Sequence, residues 1–196
     1  YSEPMEFLGM LVNLQSQSFP LIEAEISKTL NTHAVMFGFN AMETKSRQGQ
    51  KRFGALLTLK QYREVPADTV DRVLQAPVEL IISQAFRFIP NKKAMKQFKE
   101  QKVLFEISGD SYSQQATGLS EILSSNKKTS VDFGEQQTSI MVLVDEYKYL
   151  EHEVTKAQQA FGELGLITVR EDIMLEEAYW AQLPGNFEFI RRKDII

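Results

Sequence analysis

Apolar residues recur at three- and four-residue steps from Glu3 to Leu14, where Phe7, Leu8, Leu11, Val12 and Leu14 lay one stripe along an amphipathic helix. Asn31 and Thr32 break that rhythm. Val35, Phe37, Phe39 and Ala41 then alternate with Met36, Gly38, Asn40 and Met42, the period of two that a strand requires, and a second run follows from Phe53 to Tyr62. The polar, glycine-containing stretch Lys45-Ser46-Arg47-Gln48-Gly49-Gln50 between them predicts a β-hairpin. After Pro66 a short helix carries Val70, Val73 and Leu74, and Pro77 stops it because its ring cannot continue a helix and restricts the residue before it. Glu79 to Ile89 reads as a strand.

From Asn91 to roughly Lys128 the chain turns polar, and Ala94, Phe98 and Phe105, then Leu119, Ile122 and Leu123, suit two exposed helices punctuated by Gly109 and Gly118. Ser139 to Asp145 holds the unbroken run Ile140-Met141-Val142-Leu143-Val144, expected of a strand buried on both faces. Leu150, Val154, Ala157, Phe161 and Leu164 mark the clearest helix, with Gly165 as its stop. A short strand, Leu166 to Arg170, and a helix, Leu175 to Leu183, lead to the turn Pro184-Gly185-Asn186. No internal repeat is visible. The order from Phe53 predicts an α+β fold, a ferredoxin-like (split βαβ) antiparallel sheet with an N-terminal helix and hairpin and a protruding helical insert. The expected layout is one domain over 1–196: helix and hairpin in 1–52, the core in 53–183 with its insert at about 91–128, and a link in 184–196.

Composition narrows the classes. The 196 residues include no cysteine, which removes disulfide frameworks, thiolate metal sites and cysteine nucleophiles. A net charge of −4 and a pI near 5.4 disfavour a dedicated duplex-binding protein, whose affinity comes from cations neutralising phosphates. No apolar run approaches the roughly 20 residues that cross a bilayer. The chain opens on Tyr1 rather than Met and stops just after Arg191, Arg192 and Lys193, so both ends read as cuts in a longer protein.

No catalytic constellation emerges, and the expectation is a segment without catalytic, cofactor-binding or metal-binding residues. A phosphate loop needs glycines followed by Lys-Ser or Lys-Thr; Gly49-Gln50-Lys51-Arg52 comes nearest and suits a hairpin turn better. His33 and His152 lack a second histidine at ligand spacing. Glu151 and Glu153 flank His152 on different helix faces, and Glu176 and Glu177, with Glu171 and Asp172 nearby, suit the positive end of a helix. Ser108 and Ser111 have no histidine partner that the sequence can place.

Lys51-Arg52-Phe53-Gly54-Ala55-Leu56-Leu57-Thr58 resembles an RNA-recognition strand loosely, but Ala55 and Thr58 stand where further stacking aromatics belong. Lys92, Lys93, Lys96, Lys99 and Lys102 form a basic cluster for which anionic-surface contacts are the functional reading and a solvated face the plain one, with Glu100 and Glu106 diluting the charge. The alternative function is therefore a stand-alone ferredoxin-like nucleic-acid-binding module. Phe86 and Phe88 share a strand face with Leu80 and Ile82, while Tyr179 and Trp180 mark the helix where a neighbouring domain would pack.

The string Glu176-Glu177-Ala178-Tyr179-Trp180-Ala181-Gln182-Leu183-Pro184-Gly185-Asn186-Phe187 resembles the aromatic-Ala-Gln-Leu-Pro-Gly-Asn signature of the CagE/TrbE/VirB family, the large ATPases of bacterial type IV secretion and conjugation systems. Looser matches stand in the right order at Glu6-Phe7-Leu8-Gly9-Met10-Leu11-Val12-Asn13, Ser83-Gln84-Ala85-Phe86-Arg87-Phe88-Ile89 and Phe133-Gly134. The resemblance implies an N-terminal docking domain of an ATPase whose ATP and magnesium sites lie in a motor domain outside this chain. It further implies inner-membrane subunits, other ATPase copies and that motor domain as partners, a homo-oligomeric parent, and a place at the cytoplasmic face of the bacterial inner membrane. Tyr179, Trp180, Gln182, Leu183, Pro184, Gly185 and Asn186 are the expected junction. The plain reading of Leu-Pro-Gly-Asn, a turn ending a helix, is compatible with it.

Overall fold

In a computed structural model that describes residues 1–21, 23–61, 75–108, 133–189 and 194–195, the N-terminal stripe closes as helix α1 (Glu3–Asn13). Pro4 stands in its first turn, where an N–H is not needed, and Glu3 and Glu6 favour the positive end of the dipole. The helix ends on a leucine rather than a glycine: Leu14 adopts a left-handed φ of 55° and its N–H donates to the Met10 carbonyl at 2.8 Å. That conformation costs roughly 1–2 kcal/mol. Complete burial of the leucine side chain offsets it with about 1.5–3 kcal/mol.

Among the described residues the further elements are α2 (Ile26–Leu30), β1 (His33–Phe37), β2 (Met42–Ser46), β3 (Lys51–Gln61), β4 (Leu80–Ile89), α3 (Asn91–Ser108), β5 (Phe133–Val144), α4 (Leu150–Glu163), β6 (Ile167–Arg170), α5 (Leu175–Trp180) and β7 (Asp194–Ile195), with short 3-10 turns at Tyr147–Tyr149 and Phe187–Phe189. The chain is an α+β fold. It divides into two compact units, 1–84 with 137–191, and 85–136 with 192–196.

In the first unit the strand order is β1-β2-β3-β5-β4, with β6 also on β3. β3 pairs antiparallel with β5 from Phe53 opposite Val144 to Thr58 opposite Ser139. β2 pairs with the first half of β3 and β6 with its second half, so the two share its other edge. Alternate side chains then go to opposite faces. Ala55, Leu57, Ile140, Val142 and Val144 meet Leu150, Val154, Ala157 and Phe161 of α4. Leu56, Met141 and Leu143 meet Leu14, Met42 and the α5 residues Leu175, Ala178 and Tyr179. The apolar run in β5 is thus buried on both faces, as its pattern predicts.

Three expectations need correction. The hairpin is a three-stranded meander: the chain reverses at residues 38–41, where the Gly38 N–H donates to the Ala41 carbonyl at 2.8 Å, and the apolar alternation carries across that turn as if one strand continued. The Gly49 turn, with φ 88°, joins β2 to β3. β5 begins six residues before Ser139, at Phe133, because its first half is made of buried polar residues, Glu135, Gln136 and Gln137, that carry no apolar signature. Glu171 is not a helix-end carboxylate: it is buried, its N–H donates to the Leu56 carbonyl at 2.8 Å, and its carboxylate accepts the Thr58 hydroxyl. The helix expected after Pro66 and the second helix of the insert lie outside the described residues.

Asn13 fastens α1 to the strand that follows. Its Nδ2 donates to the Leu30 carbonyl at 2.8 Å, and its Oδ1 accepts the N–H groups of Thr32 and His33 at 3.1 and 3.2 Å. The His33 ring stands between Thr32 Oγ1 at 2.8 Å and Gln15 Oε1 at 2.9 Å. Gln15 Oε1 only accepts, so Nε2 carries the proton and Nδ1 accepts from the Thr32 hydroxyl. Burial holds the His33 pKa below its ordinary 6.5. Arg52 spans further: its guanidinium donates to the Leu14 carbonyl at 3.1 Å and to Glu79 at 2.9 Å, and stands 3.1 Å from Asp145.

The second unit is organised around α3, whose Ala94 and Phe98 pack with Ile89 and Phe133. Glu135 is buried there, accepts from Arg87, and meets Lys93 at 3.0 Å. Burial opposes its ionisation, but the hydrogen bonds from Lys93 and Arg87 outweigh that and hold the carboxyl at about 2. A Cβ at Gly134 would lie 2.2 Å from the Phe86 ring, so only glycine fits beneath it. β7 pairs with β5 at Glu135 and Gln136, an element that the sequence pattern does not announce.

Asn13→Ala removes the partner of three backbone groups, and a loss of roughly 3 kcal/mol in urea unfolding is expected. The folded His33 binds a proton less readily than the unfolded one, so its contribution is complete above about pH 6.5 and is lost as the pH falls through the lower folded value. His33→Gln should therefore flatten the urea midpoint against pH on the acid side of neutrality.

Candidate functional site

The signature string folds as the end of α5 and the turn after it. Leu175, Ala178 and Tyr179 face the sheet, which brings the Tyr179 ring edge-on to Phe37 at 5.4 Å and to Trp180 at 5.0 Å. The Tyr179 hydroxyl donates to the Val12 carbonyl in the last turn of α1. Burial pushes the Tyr179 phenol well above its ordinary pKa, because a phenolate there would lack water, so the group remains a neutral donor. Glu176 and Glu177 occupy the first turn of α5, where the helix dipole favours them.

Beyond Trp180 the chain tightens. Ala181 donates to the Glu177 carbonyl at 2.9 Å, and Gln182 and Leu183 donate at 3.2 Å to the carbonyls of Tyr179 and Trp180. Asn186 closes the turn: its N–H donates to the Leu183 carbonyl at 3.1 Å, and its side-chain Nδ2 donates to the Trp180 carbonyl at 3.0 Å, satisfying a helix-end acceptor. The seven residues expected at the junction therefore divide. Tyr179 and Gln182 are buried, Trp180, Leu183 and Asn186 half-buried, Pro184 and Gly185 exposed. Gln182 has one unusual feature. Its Nε2 donates to the Tyr179 carbonyl at 3.4 Å, which fixes the amide orientation, yet its Oε1 is buried without a hydrogen-bond partner.

The lysine cluster belongs to the second unit. Lys92, Lys93, Lys96 and Lys99 are exposed on α3, while the Lys102 side chain lies outside the described residues. Lys93 meets Glu135, and Lys96 stands 3.7 Å from Glu100.

Other candidates resolve into structure. Phe53 packs edge-on against Tyr147 at 5.6 Å and belongs to the face covered by α4, so no stacking surface for bases is open there. Lys51 pairs with Glu43 at 2.7 Å, and Arg52 is committed to Glu79. Glu151 and Glu153 go to different partners, Arg170 at 2.7 Å and Lys156 at 2.8 Å, as their adjacent spacing to His152 requires. Among the described residues, no three His, Cys, Asp or Glu side chains are grouped to hold a metal ion. Sequence reasoning missed Gln182 Oε1 as an orphan acceptor, and Arg52 and Glu135 as hubs, because their partners are remote in the chain.

Comparison with known proteins gives a consistent picture. The profile of the CagE, TrbE, VirB family, component of type IV transporter system, matches residues 1–192. The chain is 32% identical over 200 residues to the type IV secretion system protein virB4 of Bartonella quintana, covering all of this chain and 25% of that protein. It is 24% identical to protein virB4 of Rhizobium radiobacter, again over 25% of its length. It is 21% identical to the type IV secretion system protein PtlC homolog of Bordetella bronchiseptica, over 24% of its length. The chain thus spans about a quarter of the curated relatives it matches.

Tyr179→Phe leaves the Val12 carbonyl without its donor and should cost about 1–2 kcal/mol in thermal or urea unfolding. Asn186→Ala should cost about 1 kcal/mol, and a loss as large as that of a core truncation would mean that the turn does more than close α5.

Proposed function

The chain belongs to the CagE, TrbE, VirB family of type IV transporter components, and we propose that it is the non-catalytic docking module of a type IV secretion ATPase. In this reading the parent hydrolyses ATP with magnesium in a motor domain outside this chain, and couples that hydrolysis to assembly of a channel or pilus and to export. The module serves at the cytoplasmic face of the bacterial inner membrane, where its partners are membrane subunits of the machine, further ATPase copies and its own motor domain. A ferredoxin-like plan for the core fits the neighbour order β6-β3-β5-β4.

The observation that carries the docking role is the buried, unpartnered Oε1 of Gln182 beside the exposed Pro184-Gly185 tip. An acceptor withdrawn from water and left unmade costs about 1–3 kcal/mol, and a donor arriving from a docked element relieves that cost. Tyr179 holds the segment rigidly, so a partner meets a preformed surface.

The direct test mixes this chain with a separately produced motor segment of the parent. Association is expected, weakened about five-fold by Gln182→Leu through loss of roughly one hydrogen bond. Failure to associate, or ATP hydrolysis by the purified chain at a rate like the parent's, would sink the proposal.

A further inference from the structure

We propose that the outer face of α3 is a docking surface for an anionic phospholipid bilayer. The inference rests on α3 alone and stands apart from the junction at Tyr179 to Asn186.

Ala94 and Phe98 fix the inward side of α3. Lys92, Lys96, Lys99, Val103 and Ile107 succeed one another at steps of four, three, four and four, which places them in one stripe on the opposite side. The three lysines are exposed. Val103 and Ile107 are exposed too, at 51% and 77%, although nothing in their chemistry favours water. At 1.5 Å per residue the stripe runs about 22 Å, basic in its first half and apolar in its second.

The charges on this stripe are largely unspent. Lys93, which points elsewhere, is the lysine taken by buried Glu135. Lys96 and Glu100 are both exposed at 3.7 Å, a separation and setting in which an ion pair contributes little and is readily exchanged. Lysines near an anionic leaflet are drawn to its negative potential, each strengthening binding roughly five-fold, within a screening distance of about 8–10 Å. Nucleic-acid phosphates offer the same attraction. They offer nothing to Val103 and Ile107, whereas the boundary between headgroups and acyl chains accepts apolar side chains on a helix lying in its plane. The apolar half of the stripe decides for the membrane.

Flotation of the chain with vesicles tests this. Binding is expected to vesicles of phosphatidylglycerol and phosphatidylcholine at low salt, and is expected to fall at high salt and with phosphatidylcholine alone. Lys96→Glu with Lys99→Glu should weaken it at least about 25-fold, and Val103→Ser with Ile107→Ser about ten-fold. These sites are exposed, so the melting temperature should hold. Lys28→Glu with Lys148→Glu makes the same charge change on exposed residues of the first unit and should leave binding unchanged. No binding to anionic vesicles, equal binding to neutral ones, or an equal loss in the Lys28 and Lys148 control overturns the proposal. So does tighter binding to duplex DNA that the two serine substitutions do not affect, which would assign the stripe to nucleic acid.

Discussion

The pairing of two strands along a stretch covered on both faces governs this fold. β3 and β5 pair through Phe53 to Thr58, and the side chains on both sides of that pairing are buried. A sheet so buried needs cover on each face, and the chain supplies it from widely separated segments: α4 on one side, Leu14 with α5 on the other. The signature segment is conscripted into that cover. Its tyrosine completes the second face, and the Pro184-Gly185 tip of the turn beyond it stays exposed.

The same burial explains where polar groups sit. Asn13, His33, Glu171 and Gln182 are buried at the margins of the apolar cores, and all but Gln182 Oε1 have their hydrogen-bonding groups engaged by chain partners. Such groups cost free energy when left unpaired, so they discriminate between the native packing and a shifted one. Gly9 does related work by shape: a Cβ there would stand 2.1 Å from the Phe19 ring, which is why that position of the N-terminal motif is small.

Helices 3–13 and 150–163 and the apolar half of β5 were legible because local periodicity reports directly which side of an element meets a core. The reversal at residues 38–41 was not, since Phe39 and Ala41 carry the alternation of Val35 and Phe37 straight across the turn. Nor was the polar half of β5, where Glu135 is tolerated only because Arg87 and Lys93 reach it from residues more than forty positions away. The family string singles out this segment, but spacing alone did not tell that Tyr179 turns inward while Pro184 and Gly185 stay outside. Those facts depend on the sheet that the segment meets.

The hydrogen bond from Tyr179 to Val12 joins residues 167 positions apart. On a ribosome, the last turn of α1 leaves the exit tunnel long before its partner has been made, and its inward side waits uncovered while β3 and β5 assemble. A helix made well before α5 is thereby sealed only after it, and the interval is set by the rate of translation rather than by the speed at which a helix forms.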